Sequence, residues 1–178
     1  SYGRLLLFDG MGLSPDLITM AKSLSGMGLP LAVTLIKPEH DIWKPAEHNG
    51  TFRGNNHAFI TAAAALEKFW ADDSFATEVA KKAEYLADRL GAIADEHDLG
   101  IKGRGMMLGV DAGSGEHAAA ICKTCFTKGL IIETSGSFDQ IVKVLAPLTI
   151  STEQLAAGLD TLEAAFDAVM GLHRAAAE

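Results

Sequence analysis

Lys22 is the residue of this sequence best placed for covalent chemistry. It follows directly on an apolar run, Leu17 to Ala21, and leads into Ser23, Ser25, Gly26 and Gly28. If the run is a buried strand of an open α/β sheet, the lysine stands at its carboxyl end, where ligands of such sheets bind. An amine in that low-dielectric setting loses its proton more readily and becomes free for Schiff-base chemistry with an aldehyde. A surface lysine at a strand end has the same spacing. The second candidate is the polar stretch His48-Asn49-Gly50-Thr51-Phe52-Arg53-Gly54-Asn55-Asn56. Its free backbone N–H groups, the Thr51 hydroxyl and the helix expected from His57 would suit a phosphate. A polar turn capped by Asn55 or Asn56 would look alike. Together, a strand-end lysine and a phosphate cradle suggest a phosphate-bearing aldehyde cofactor.

Four other patterns point to structure instead. Gly103, Gly105 and Gly109 imitate a dinucleotide motif, but that motif must follow a strand and open a helix. Here the glycines lead into a strand, so they read as a turn. Cys122 and Cys125 fall on a helical stretch and read as core-facing thiols. The six histidines form no His-x-His or His-x-x-x-His pair, and no metal site is expected. Lys81 and Lys82 read as a solvated helix face.

The elements that must position these residues follow from hydrophobic periodicity. Residues 17–21 and 31–36 run apolar without alternation, as buried strands do. Residues 41–56 form a long polar loop, and residues 57–70 an alanine-rich helix, apolar nearly all round and expected to be buried. A long amphipathic helix spans residues 74–97, with Val79, Leu86, Leu90 and Ile93 on its apolar stripe and Asp72 to Ser74 as cap. Strands are expected near 99–102, 106–111, 130–133 and 141–145, and a helix over 115–129. The last helix opens with a capping box at Ser151 to Gln154 and carries Leu155, Leu159, Leu162, Phe166 and Val169 on one face. The class is α/β, divided near residue 72 into segments 1–72 and 73–178.

Composition narrows the function classes. The 178 residues are 48% hydrophobic and 21% charged, as in a globular protein. With 23 acidic against 15 basic residues the net charge is −8, which disfavours a nucleic-acid partner. The longest apolar run is far too short to span a membrane, and the patch at residues 5–8 is too short for a signal-peptide core. Two cysteines are too few for a disulfide framework and point to a reducing, cytoplasmic setting.

Several segments taken in order resemble the class III pyridoxal-phosphate aminotransferases. Ser14-Pro15-Asp16-Leu17-Ile18-Thr19-Met20-Ala21-Lys22-Ser23 resembles the family's cofactor-lysine segment, and Gly50-Thr51-Phe52-Arg53-Gly54-Asn55 its Gly-Thr-Phe-x-Gly-Asn loop. Residues 102–109 and Ala146-Pro147-Leu148-Thr149-Ile150 resemble its later landmarks. Residues 25–30, 35–38 and 47–56 look most like members that act on 2,4-diaminobutyrate and 2-oxoglutarate, a step of ectoine synthesis. The resemblance implies the C-terminal part of a fold-type-I transferase: the end of the large-domain sheet in residues 1–72 and the small α/β domain in 73–178. It further implies pyridoxal 5'-phosphate as cofactor and Lys22 as its covalent anchor and catalytic base. Thr51 would bind the phosphate of a neighbouring subunit, so a homodimer or higher oligomer is implied. The family's partner for the pyridine nitrogen, its glycine-rich phosphate turn and its stacking aromatic lie upstream of Ser1, so the 178 residues alone are expected to be inactive. Lys143 stands where many members carry an arginine that binds a substrate carboxylate.

Overall fold

A computed structural model describes residues 11–26 and 28–177. The apolar patch at residues 5–8 lies outside the described residues. The chain divides into two compact units, meeting in sequence between Phe75 and Ala76.

In residues 11–75, β1 (Leu17–Ala21) and β2 (Ala32–Ile36) form an antiparallel pair, in register from Leu17 opposite Ile36 to Ala21 opposite Ala32. A 3-10 turn, Lys22–Ser25, leaves the end of β1. After a loop comes α1 (Asn56–Phe69), whose N-terminus is capped by Asn55: its side-chain oxygen accepts from His57 N and Ala58 N. Beyond the helix Phe75 lies tilted against Phe69, with ring centroids 4.9 Å apart, and edge to face with Trp70 at 5.4 Å. Two expectations fail in this unit. Neither strand is buried: the ribbon has only two members, and its residues are exposed or half-buried. Helix α1 buries only Ala58 and Ala62, leaving Phe59 and Ile60 exposed.

Residues 76–177 hold a four-stranded antiparallel sheet in the order β3-β4-β6-β5. Its strands are β3 (Gly100–Arg104), β4 (Met107–Asp111), β5 (Glu133–Ser135) and β6 (Ile141–Val144). Three helices accompany it: α2 (Ser74–His97), which begins in the first unit, α3 (Gly115–Thr127) and α4 (Thr152–Ala177). The register sets Leu108 beside Val144 and Val110 beside Val142, so these four side chains share one face and are all buried. Val79, Leu86, Leu90 and Ile93 of α2 are buried as their spacing predicts, as are Leu155, Leu159, Leu162, Phe166 and Val169 of α4. Burying each such side chain stabilises the fold by roughly 1.5–3 kcal/mol. Ser114 and Ser151 cap α3 and α4, accepting from His117 N and Gln154 N at 3.1 and 3.2 Å. Cys125 is fully buried on α3 and Cys122 half-buried, both as free thiols. The glycines of residues 103–109 make the β3–β4 hairpin.

The structure corrects two readings here. The strand expected at 130–133 begins only at Glu133, since residues 130–132 leave the sheet to line an apolar hollow beside α4. Lys82 is buried rather than solvated: its Nζ donates to Glu78 Oε1 at 3.0 Å, Leu148 O at 2.6 Å and Ile150 O at 3.1 Å. Three oxygens replace the water an ammonium gives up on burial. Among the described residues no helix is long and apolar enough to cross a membrane.

Candidate active site

Lys22 occupies the step where β1 stops being a strand. Ala21 is extended, with φ −157°, whereas Lys22 takes a left-handed φ of 58°. For an L residue that costs roughly 1–2 kcal/mol. The step swings the chain out of the ribbon and onto the 3-10 turn, so the lysine lies at the ribbon's end as the sequence predicts. It is exposed there, at the end of a ribbon that holds no buried residue.

An open groove of about 950 Å³ lies beside it. Lys22, Ser23 and Gly26 form part of one wall, and Arg53, Gly54 and Asn55 contribute the other. Residues some thirty positions apart are thus brought together, as the pairing of lysine and polar loop required. The loop has its own order. Arg53 N donates to Gly50 O at 3.1 Å, closing a turn. The Arg53 guanidinium reaches His48 O and His48 Nδ1 at 3.4 and 3.2 Å, and the His48 ring stacks on Trp43 at 4.9 Å. Thr51 sits in this turn, exposed and outside the groove wall, and no hydrogen bond engages its hydroxyl among the described residues. Phe52 beside it is fully exposed.

The expected phosphate cradle is altered in one respect. Two of the N–H groups at the start of α1 are already taken by the Asn55 side chain, so the capping alternative holds for the helix end. The positive charge at the groove comes from Lys22 and Arg53. Arg53 was not singled out in the sequence, where it occupies the variable position of the Gly-Thr-Phe-x-Gly-Asn loop; a cation inside a phosphate-suited loop was the available signal.

Lys143, on β6, lies at the lip of an apolar hollow of about 380 Å³, with its Nζ 2.8 Å from Glu133 Oε1 on β5. Two acid-and-histidine groups also come together: Asp16, Glu39 and His40, and Glu96, His97 and Asp167. Asp16 already accepts from Lys37 Nζ at 2.7 Å, and His97 Nε2 faces Asp167 Oδ1 at 3.1 Å.

Residues 2–166 match the family model for aminotransferase class III. The chain belongs to the class III aminotransferase family. It is 49% identical over 164 residues to the diaminobutyrate–2-oxoglutarate transaminase of Vibrio cholerae, covering 90% of this chain and 40% of that protein. It is also 49% identical over 166 residues to the enzyme of the same name from Halomonas elongata, covering 90% and 39%. The chain thus spans about 40% of the length of these curated relatives. Among solved structures, the N-acetylornithine aminotransferase of Stenotrophomonas maltophilia superposes with a TM-score of 0.77 at 29% identity, over 96% of this chain and 44% of that one. The ornithine aminotransferase of Toxoplasma gondii gives 0.85 at 23% identity, over 97% and 41%. The family is pyridoxal-phosphate-dependent, and the groove suits part of that cofactor: the Lys22 amine for the aldehyde and the Arg53 guanidinium for a phosphate. No carboxylate lines the groove to meet a pyridine nitrogen, so the described residues make up part of the holding set.

Proposed function

We propose that this chain is the lysine-bearing part of an aminotransferase that exchanges the 4-amino group of 2,4-diaminobutyrate with the oxo group of 2-oxoglutarate, the first step of ectoine synthesis. The observation that carries the reading is Lys22, set at the end of β1 and facing Arg53 to Asn55 across one groove. The substrate choice rests on the names of the relatives at 49% identity. Residues 1–72 close the large domain in this reading, and residues 73–178 form the small one.

When bound, pyridoxal phosphate supplies an aldehyde that captures amines and a ring that withdraws electrons from the substrate. Lys22 Nζ would hold the cofactor at its aldehyde end. The free Nζ would also take the proton from the substrate carbon that bears the amine. Holding and giving back that proton would be a general acid–base role. Arg53 keeps the phosphate end of the groove positive. The Thr51 hydroxyl, unengaged among the described residues, binds the phosphate in a second copy, which makes the enzyme a homodimer or a multiple of one. Lys143 is tied to Glu133, and an ammonium lacks the fork that grips a carboxylate at two points, so it is no substrate clamp. The reducing cytoplasm is the proposed setting, in keeping with two free thiols.

The test is an amino-donor screen of the native enzyme with added cofactor. Glutamate-dependent consumption of aspartate semialdehyde that disappears in Lys22→Ala is expected. A preference for ornithine, acetylornithine or 4-aminobutyrate would overturn the substrate assignment. The 178 residues alone should show no turnover, because the groove holds no partner for the ring nitrogen. Steady, Lys22-dependent turnover by that chain would contradict this.

A further inference from the structure

The left-handed backbone of Lys22 needs something to hold it, since strain of this kind persists only where the surroundings over-determine it. One short 3-10 turn has too few hydrogen bonds to do so unaided. The turn is closed by Gly26 N donating to Ser23 O at 3.0 Å, and Ser25, fully buried, points its hydroxyl at Lys22 O at 3.4 Å. Behind the turn stands α1. Gly26, with φ 74°, lies so near it that an added Cβ would be 2.8 Å from the Ala65 Cβ and 3.1 Å from the Thr61 carbonyl oxygen. Neither neighbour is the far end of a flexible chain. One is a methyl fixed to the helix and the other is helix backbone, so neither can swing aside.

We infer that Gly26, seated flush against Ala65 of α1, is the positioning residue that holds Lys22 in its groove-facing posture. Gly26 acts through the lysine: the turn bends back from β1 only if its end closes on the helix with no side chain between. A wedge of one methyl pushes the turn off α1, and Lys22 then relaxes toward negative φ and carries its amine off the groove wall. The inference rests on reading Lys22 as the cofactor lysine.

The experiment follows two signals in the native protein. The first is the rate at which pyridoxal 5'-phosphate becomes fixed on Lys22 by borohydride, read by peptide mass mapping. The second is hydrogen exchange of the amides of residues 23–26 without cofactor. Gly26→Ala should slow labelling of Lys22 by about tenfold to a hundredfold, the usual cost of a misplaced reacting group, and speed exchange across the turn. Ala65→Val should do the same from the helix side, without altering a glycine. Gly12→Ala is the control: Gly12 has a similar φ of 69° but nothing within 4 Å of an added Cβ, so both signals should stay at the unaltered level. Gly26→Ala combined with Ala65→Gly should recover part of both, since the Thr61 carbonyl oxygen still stands 3.1 Å from the added Cβ. A pyridoxyl mass absent from Lys22 in the unaltered protein overturns the assignment of the lysine itself, before any variant is made. Labelling of Lys22 at one rate in the unaltered protein, Gly26→Ala and Ala65→Val overturns the positioning role alone. If Gly26→Ala does not fold, Ala65→Val decides.

Discussion

Residues 76–177 and residues 11–75 solve different problems. The former hold nearly all the buried apolar side chains, from Val79 to Val169, arranged on three helices and one sheet face. The latter bury Ala58, Ala62 and Ser25, while Ile42, Phe52 and Ile60 stay exposed. Yet Lys22, the groove and the cationic loop all belong to the weakly cored unit. Its order comes from local devices: the Asn55 cap, the Gly50–Arg53 turn, the Trp43–His48 stack and the Gly26–Ala65 seat. Stability and chemistry are therefore separable by mutation, which a single shared core would not permit.

The sharpest test pairs two phenylalanines. Phe166→Ala removes a fully buried ring and should cost about 3–5 kcal/mol of unfolding free energy in a denaturant titration. Phe52→Ala, at a fully exposed ring, should stay within about 0.5 kcal/mol; a large loss there would erase the contrast. Next, Thr51→Val should weaken cofactor binding by about 1.5–3 kcal/mol, the value of a hydrogen bond to a charged group, and leave the unfolding curve in place. An unchanged cofactor dissociation constant would return Thr51 to the role of a turn residue. Lys82→Met leaves two carbonyls without their donor and should destabilise residues 76–177 by about 1–3 kcal/mol. An unshifted melting curve would mean that water takes over the ammonium's place.

The smallest effect lies at acid pH. Lys37 donates to Asp16 at 2.7 Å and holds its carboxyl below the usual range. Because the folded value is the lower one, the pair supports the β1–β2 ribbon above the unfolded carboxyl's midpoint. That support is lost as pH falls through the folded value. In an NMR titration of the carboxyl, Lys37→Met should move the Asp16 midpoint upward. The same midpoint in both proteins would remove the ion pair from the account.

Legibility divides along similar lines. Helices α2 and α4 could be read almost to the residue, because a buried stripe at helical spacing is written in the element itself. The apolar runs of β1 and β2 announced strands but misled about burial. Such runs reflect what covers a strand, and here the strand residues are only exposed or half-buried. Lys82 was unreadable because two of its partners are carbonyls 66 and 68 positions away. Lys22 was found from its place after a strand, whereas its positive φ and the seat of Gly26 have no signature in residue spacing. Thr51 was singled out within the polar loop, and the structure sets it in the turn but off the groove wall.

The two thiols of α3 carry a consequence for time as well as structure. Burial, then the neighbouring Cys122, pushes the Cys125 thiol up to about 11, and burial raises Cys122 as well. At neutral pH the closed helix offers an alkylating reagent almost no thiolate at Cys125. Modification must wait for α3 to lift from the sheet and α4, so the labelling rate at this one sulfur counts those openings. The chain carries an internal clock for its own local unfolding, placed in the unit that holds most of the buried apolar side chains.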